Sequence, residues 1–471
     1  MLVKWYGCLL LCLFLLCLTA CGNHSHETLD RTTGTTSTPI VTTGVSDQTD
    51  ADVTVTTAES ETTTGNSTDG STKTTKKTSN TTTETTTIPT TSTTVTTQAT
   101  LTTPLGEMRA TWVSYIELDT FFRSCSTTAQ AKQVIDGIFD TMEEFQLNTL
   151  FFHVRANSDA YYKSSYFKPA ASVSKLITAG FDPLQYAVDA GHKRGMAVHA
   201  WVNPYRVGKD QTYLVSGIPT FTDTASRYYY VPTSLPAQQL ILNGIRELVN
   251  NYAVDGVQYD DYFYPSGVLG ETTVYSYESA DYEVYRESGG SLSVADWRRA
   301  AVDTLIAGTH AITKSKNRIF GVSPAVNAQN TYDKLYANPK KWMAESGYID
   351  YICPQIYTGF EHSGSPFDKM TDEWLSYPRH SSVKLYVGIA TYKAGLLSDA
   401  WAGDGKTEWA SHSDILKRSV QYLRSKGIPG MAFYSYSYFM PDNVVGFSTT
   451  NNVTIACKEI ENLRAVLQKG V

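Results

Sequence analysis

The chain has few cysteines, no basic stripe and no apolar run long enough to be a secure membrane span. Each absence narrows what it can be. Seven cysteines occur in 471 residues, and Cys8, Cys12, Cys17 and Cys21 crowd the beginning. The later three, Cys125, Cys353 and Cys457, are scattered, so they form neither a disulfide framework nor a zinc site. One bridge among them stays open, although Cys353 sits in an apolar stretch and reads as plain core. Lys and Arg total 39 against 46 Asp and Glu, for a net charge of −7. Nucleic acid is therefore not an expected partner. The apolar run at 9–18 is too short to cross a bilayer with confidence. No G-x-G-x-x-G follows the first predicted strand, which argues against an open, nucleotide-binding sheet. No cofactor is expected.

Three segments of different character are present. Lys4 and the apolar run lead to Leu18-Thr19-Ala20-Cys21, which looks like the lipobox of a bacterial lipoprotein. The expectation is a signal peptide over 1–21, cleavage before Cys21 and lipidation of that residue. The protein would then be a lipid-anchored membrane protein facing the cell wall, because two or more acyl chains hold stably. An ordinary secretory signal or an uncleaved anchor is the alternative. Residues 22–104 are dominated by Thr, with isolated apolar residues such as Ile88 and Val95. Such a segment buries too little apolar surface to offset its ordering entropy and reads as a disordered tether. Residues 105–471 are rich in Tyr and Trp and long enough for one large α/β domain.

Within 105–471, apolar β-branched runs alternate with amphipathic stretches. Strands are predicted at 109–114, 148–154, 197–203, 255–260, 318–323, 349–356, 383–389 and 430–436. Helices are predicted from Ser126-Thr127-Thr128 onward and at 183–193, 235–252, 294–314, 339–346, 412–426 and 454–468. A polar, Tyr-rich insertion over 266–291 follows the fourth strand. Eight βα units in order predict a (β/α)8 TIM barrel.

In that fold the chemistry sits at the C-terminal strand tips. The fourth tip is the most telling: Val257-Gln258-Tyr259-Asp260-Asp261-Tyr262-Phe263-Tyr264 ends an apolar run in two carboxylates and a cluster of aromatics. Flat aromatic faces suit sugar rings, and carboxylates serve hydroxyls and the glycosidic oxygen. A glycoside hydrolase is the leading expectation. The two-residue period places Gln258 and Asp260 on one face, so Asp260 is read as nucleophile or transition-state stabiliser. Where the substrate carries an N-acetyl group, that group can act as nucleophile and Asp260 would orient it. Asp261, Glu361, Glu271 and Glu278 are candidates for the proton donor, and Asp261 is alternatively a helix cap or an Arg partner. His153, Arg155, His199, Trp201, Asn203, Arg206, Tyr262, Gln355 and Tyr357 are candidate substrate-binding residues on the neighbouring tips. Arg155 and Arg206 would pair either with a substrate carboxylate or with Asp159 or Asp260. Tyr264 and Tyr436 are further stacking candidates, each as readily core. A metal held by His153, His199 and Asp260 is the minor alternative to hydrogen bonding.

The phrases Met108-Arg109-Ala110-Thr111-Trp112-Val113, Phe152-His153-Val154-Arg155, His199-Ala200-Trp201-Val202-Asn203-Pro204-Tyr205-Arg206, Asp255 through Pro265, and Pro354-Gln355-Ile356-Tyr357 together resemble glycosyl-hydrolase-like family 10. The resemblance runs from Gly106 to about Leu467. It implies a bacterial barrel protein, commonly a lipoprotein, that cleaves peptidoglycan glycan strands stripped of peptides. Cleavage would fall at β-1,4 bonds between N-acetylmuramic acid and N-acetylglucosamine. The family's Asp-Asp motif maps onto Asp260 and Asp261. Two rival readings remain: a glycosidase for an external polysaccharide, and a non-catalytic glycan-binding lipoprotein.

Overall fold

The computed structural model describes residues 106–265 and 270–468. The predicted signal peptide, Cys21 and the Thr-rich tether lie outside the described residues. Nine hydrogen-bonded parallel segments form the main sheet. Eight strand positions result, because Lys384–Leu385 and Val387–Ala390 are two halves of one strand broken only at Tyr386. The first half pairs with Tyr351–Ile352 and the second with Gly430–Tyr434, so this seventh strand closes the cylinder. The others are Met108–Val113, Thr149–Arg155, Ala197–Val202, Gly256–Tyr259 and Ile319–Val322, each paired in parallel with its neighbours. This is the predicted (β/α)8 barrel.

The helices Pro183–Lys193 and Val294–Lys314 match the sequence expectation end to end. The predicted helix after the first strand is Thr128–Glu144, closed at its start by a capping box between Thr127 and Gln130. A shorter helix, Tyr115–Arg123, precedes it and was not predicted. Its signal was present as Ser114-Tyr115-Ile116-Glu117, a second capping box. The predicted insertion contains a helix, Ser279–Glu287, and the third strand is followed by an unpredicted antiparallel ribbon of Arg206–Gly208, Thr220–Thr222 and Tyr228–Tyr230.

Two apolar clusters divide the work. A large one fills the layer between strands and helices. A small one, including Trp112, Phe151, Trp201, Tyr351 and Ala432, plugs the barrel interior. Its bulky rings fit because small residues face them: a Cβ on Gly321 would lie 2.0 Å from the Tyr351 ring. Cys125, Cys353 and Cys457 are free thiols, so the bridge left open by the sequence does not form. Among the described residues no helix is long and apolar enough to cross a membrane.

Candidate active site

The fourth strand ends at Tyr259, and Asp260 follows at the mouth of the barrel, 3% exposed. Two N–H donors hold its carboxylate. The Trp201 indole Nε1–H donates to Oδ2 at 3.1 Å, and the Tyr262 backbone N–H donates to Oδ1 at 3.1 Å. Burial pushes the Asp260 carboxyl well above its ordinary range, and the Asp261 charge pushes it further. The two N–H donors and the Arg206 charge pull the other way. Asp261 is partly exposed and also raised, mainly by burial, while the Gln355 side-chain amide donates to its Oδ1 at 3.2 Å. Gln355 is itself fixed by donating to the Ser323 carbonyl at 2.8 Å. The two adjacent carboxyls therefore keep a proton at pH values where a lone, solvated aspartate has lost it, and they titrate as a unit.

A second layer fixes Trp201. The His153 ring stacks on it with centroids 3.5 Å apart and planes 11° off parallel. The Tyr115 backbone N–H donates to His153 Nδ1 at 3.2 Å, so the ring proton sits on Nε2 and donates to Asn203 Oδ1 at 3.1 Å. Burial, followed by the Arg206 charge, keeps His153 neutral by lowering its pKa well below the usual histidine value. Trp201→Phe keeps the stacking surface and removes the indole donor. We expect kcat/KM to fall about ten- to a hundredfold, the value of one hydrogen bond to a charged group. Asp260 would become harder to ionise, so the acidic limb of the pH–rate profile should move to higher pH. A profile that stays in place would remove Trp201 from this role.

The structure brings His153, Trp201, Asn203, Arg206, Tyr262 and Gln355 around the Asp pair. Tyr357 lies beside them at the sixth tip, stacked 5.5 Å from Tyr434, and the charge of Asp261 reaches it. Other predictions are corrected. Arg155 does not face the cleft: the register shifts between His153 and Arg155, a bulge that turns Arg155 outward. There it is 2% exposed, donates to the Pro204 carbonyl at 2.9 Å and lies 4.6 Å from the Phe167 ring centroid. His199 does face inward, but two residues deeper than Trp201, where Nδ1 pairs with the Tyr351 hydroxyl at 3.1 Å inside the plug. Among the described residues no three His, Cys, Asp or Glu side chains are placed to hold a metal. Glu361 is an exposed side chain 3.6 Å from His412, and Glu271 is exposed. Glu278 is fully buried against Arg298. None of these three is placed at the Asp pair. Tyr264 and Tyr436 are buried, at 1% and 6% exposure, and Trp201 at 5% is a support rather than a platform.

The sequence reading missed Tyr115, whose ring flanks Arg206 and whose N–H orients His153. Its signal was its place directly after the first strand, the one tip not inspected. A cavity of about 250 Å³ opens on the same face, lined by Asp119, Arg123, Asp159 and Asp210 among others. It does not include Asp260 or Asp261. The candidate site is read from the two held carboxyls and not from that cavity.

The chain is similar in sequence to known proteins. Over 302 residues the chain is 34% identical to glycosyl hydrolase DigH of Escherichia coli K12, covering 56% of this chain and 67% of that one. It is 31% identical over 320 residues to glycosyl hydrolase YngK of Bacillus subtilis, 61% of each. The glycoside hydrolase domain of PgaB from Bordetella bronchiseptica superposes with a TM-score of 0.49 at 12% identity, covering 78% of this chain and 100% of that domain. The Glycosyl hydrolase-like 10 family model matches residues 107–402, which contain the Asp pair and every residue found around it. With a carboxyl pair at the mouth of a closed (β/α)8 barrel and that match across most of the domain, the chain is an enzyme of the glycoside hydrolase class and belongs to the Glycosyl hydrolase-like 10 family.

Proposed function

We propose that this enzyme cleaves the glycan strands of peptidoglycan after their peptides have been removed, working from a lipid anchor at Cys21. The observation that carries the reaction is the Asp260–Asp261 pair. Glycoside hydrolysis needs one carboxyl that gives a proton and one that stays ionised. Burial opposes ionisation of Asp260, but both of its oxygens accept from N–H groups and the Arg206 charge favours the anion, so the charge left when the pair loses its first proton is held there. Asp261 is partly exposed and accepts from one amide. Asp261 therefore donates the proton to the leaving oxygen. Asp260 stabilises the cation-like ring carbon, either directly or by orienting an N-acetyl group on the substrate.

Tyr262 and Tyr357 supply partly exposed rings beside the pair. The relatives named above are glycosyl hydrolases by name, which supports the reaction class. The lipobox-like Leu18-Thr19-Ala20-Cys21 and the Thr-rich 22–104 segment support a tethered head that reaches into a wall.

The test is mass spectrometry of soluble products from peptide-stripped peptidoglycan, with chitin and an unrelated β-glucan alongside. Release of disaccharide-repeat fragments from the stripped strands, and little from the others, is the expected result. Fragments from chitin or glucan alone would replace wall glycan with an external polysaccharide. Binding without fragments from any polymer would refute catalysis.

A further inference from the structure

Arg206 sits at the third strand tip in an unusual state. Several buried or part-buried arginines have carboxylate partners: Arg298 has Glu278, Arg424 has Glu107 and Arg227 has Asp223. Among the described residues no carboxylate lies within ion-pair distance of Arg206. Its guanidinium lies 5.4 Å from the Tyr115 ring centroid and 5.2 Å from that of Tyr262. One NH2 group donates to the Tyr115 hydroxyl at 3.3 Å, and the buried Nε has no hydrogen-bond partner. Removing a cation from water without an anion is costly, and two ring faces offset only part of that cost. Arg155 and Arg318 also lack a carboxylate within ion-pair distance, but Arg155 is sealed behind the bulge and Arg318 precedes the fifth strand, at the end of the barrel away from the tips. Arg206 is partly exposed, beside Asp260.

A guanidinium over two rings, with no carboxylate partner and a donor unspent, suits a planar anion. We propose that Arg206 binds a carboxylate on the sugar at the cleaved bond and sets the enzyme's preference for anionic over neutral glycan. Resting on the substrate proposed above, that group is the lactyl carboxylate of N-acetylmuramic acid. The two rings restrict the side chain before the substrate arrives and so reduce the entropy lost on binding.

The experiment compares peptide-stripped strands with the same strands whose lactyl carboxyls have been converted to methylamides. Wild type, Arg206→Gln and Arg206→Lys are assayed on both, with kcat and KM separated. On native strands Arg206→Gln should raise KM about ten- to a hundredfold, the range for a hydrogen-bonded charge. Wild type should show the same rise on amidated strands, and the substitution should add little there. Arg206→Lys keeps the charge but loses the fork, so it should fall between. Two results overturn the proposal: wild type indifferent to amidation, which needs no variant to fold, or Arg206→Gln impairing both strands equally. The second would make Arg206 a positioning residue for Asp260. Cleavage of chitin with no cleavage of either strand form would remove the substrate assignment and this inference together.

Discussion

Asp260→Asn should lower kcat on stripped glycan strands by on the order of 10³-fold or more, the scale seen when a residue acting directly on the reaction is removed. The amide is nearly isosteric, so the loss would report charge rather than packing. One amide hydrogen would face Trp201 Nε1–H or the Tyr262 N–H, both of which now donate to the carboxylate. Asp261→Asn removes the proposed proton donor, and general acid catalysis is worth about 10²–10⁴-fold. Its second consequence lies in the pH profile. A general acid works only while protonated, so its ionisation closes the alkaline side of the profile, and Asp260 ionises while Asp261 is neutral. The residual activity of Asp261→Asn should therefore lose its alkaline limb while the acidic limb stays near its wild-type position, whereas Trp201→Phe moves the acidic limb. Rates measured across pH 3–9, roughly the range in which such carboxyls titrate, would check both. A variant at Asp260 that retains near wild-type kcat would end the reading of this residue as part of the reacting centre.

The largest expected stability effect lies away from the chemistry. Glu278 and Arg298 are each fully buried and joined side by side, with Arg298 Nε donating to Glu278 Oε2 at 3.2 Å and NH2 to Oε1. Arg298 also donates to the carbonyls of Gly270 at 2.9 Å and Thr273 at 2.7 Å. It thus ties the insertion after the fourth strand to the helix Val294–Lys314. Removing one member leaves an uncompensated charge in the interior. Glu278→Ala should cost about 3–5 kcal/mol. For a domain of this size that lowers Tm by roughly 4–7 °C. Replacing both, as Glu278→Leu with Arg298→Met, should be milder than Glu278→Ala alone, because no charge is stranded. Thermal melts followed by circular dichroism decide this. At a temperature where Glu278→Ala stays folded, its kcat should remain within a few-fold of wild type. A collapse of kcat there would reinstate Glu278 as a candidate acid.

Much of the architecture was legible in the one-dimensional pattern. Each barrel strand carries its own local signal, an apolar β-branched run, and the helix Val294–Lys314 carries both its Ser293 cap and its apolar stripe. Strand and helix periods are local properties, so the eight repeats could be counted without knowing any contact. The placement of Asp260 followed from the same period, since Gln258 and Asp260 share a face on an unbroken strand.

Depth, register and partnership are different in kind. The period that correctly placed Asp260 misplaced Arg155, because a bulge between His153 and Arg155 breaks the alternation and depends on how the second and third strands pair. His199 obeys the alternation and still misses the cleft, because only the stagger of the closed barrel sets how deep each inward residue lies. Glu278 and Glu361 look alike in sequence. One meets Arg298 in the interior, and the other meets His412 at the surface. By itself the sequence determined the order of strands and helices and the strand tip that carries the carboxyl pair, because those depend on residues a few positions apart. The tertiary structure alone decided which of the nominated side chains reach that pair and which cation there is left without an anion. Those depend on strand pairing and on contacts between residues that are tens to hundreds of positions apart.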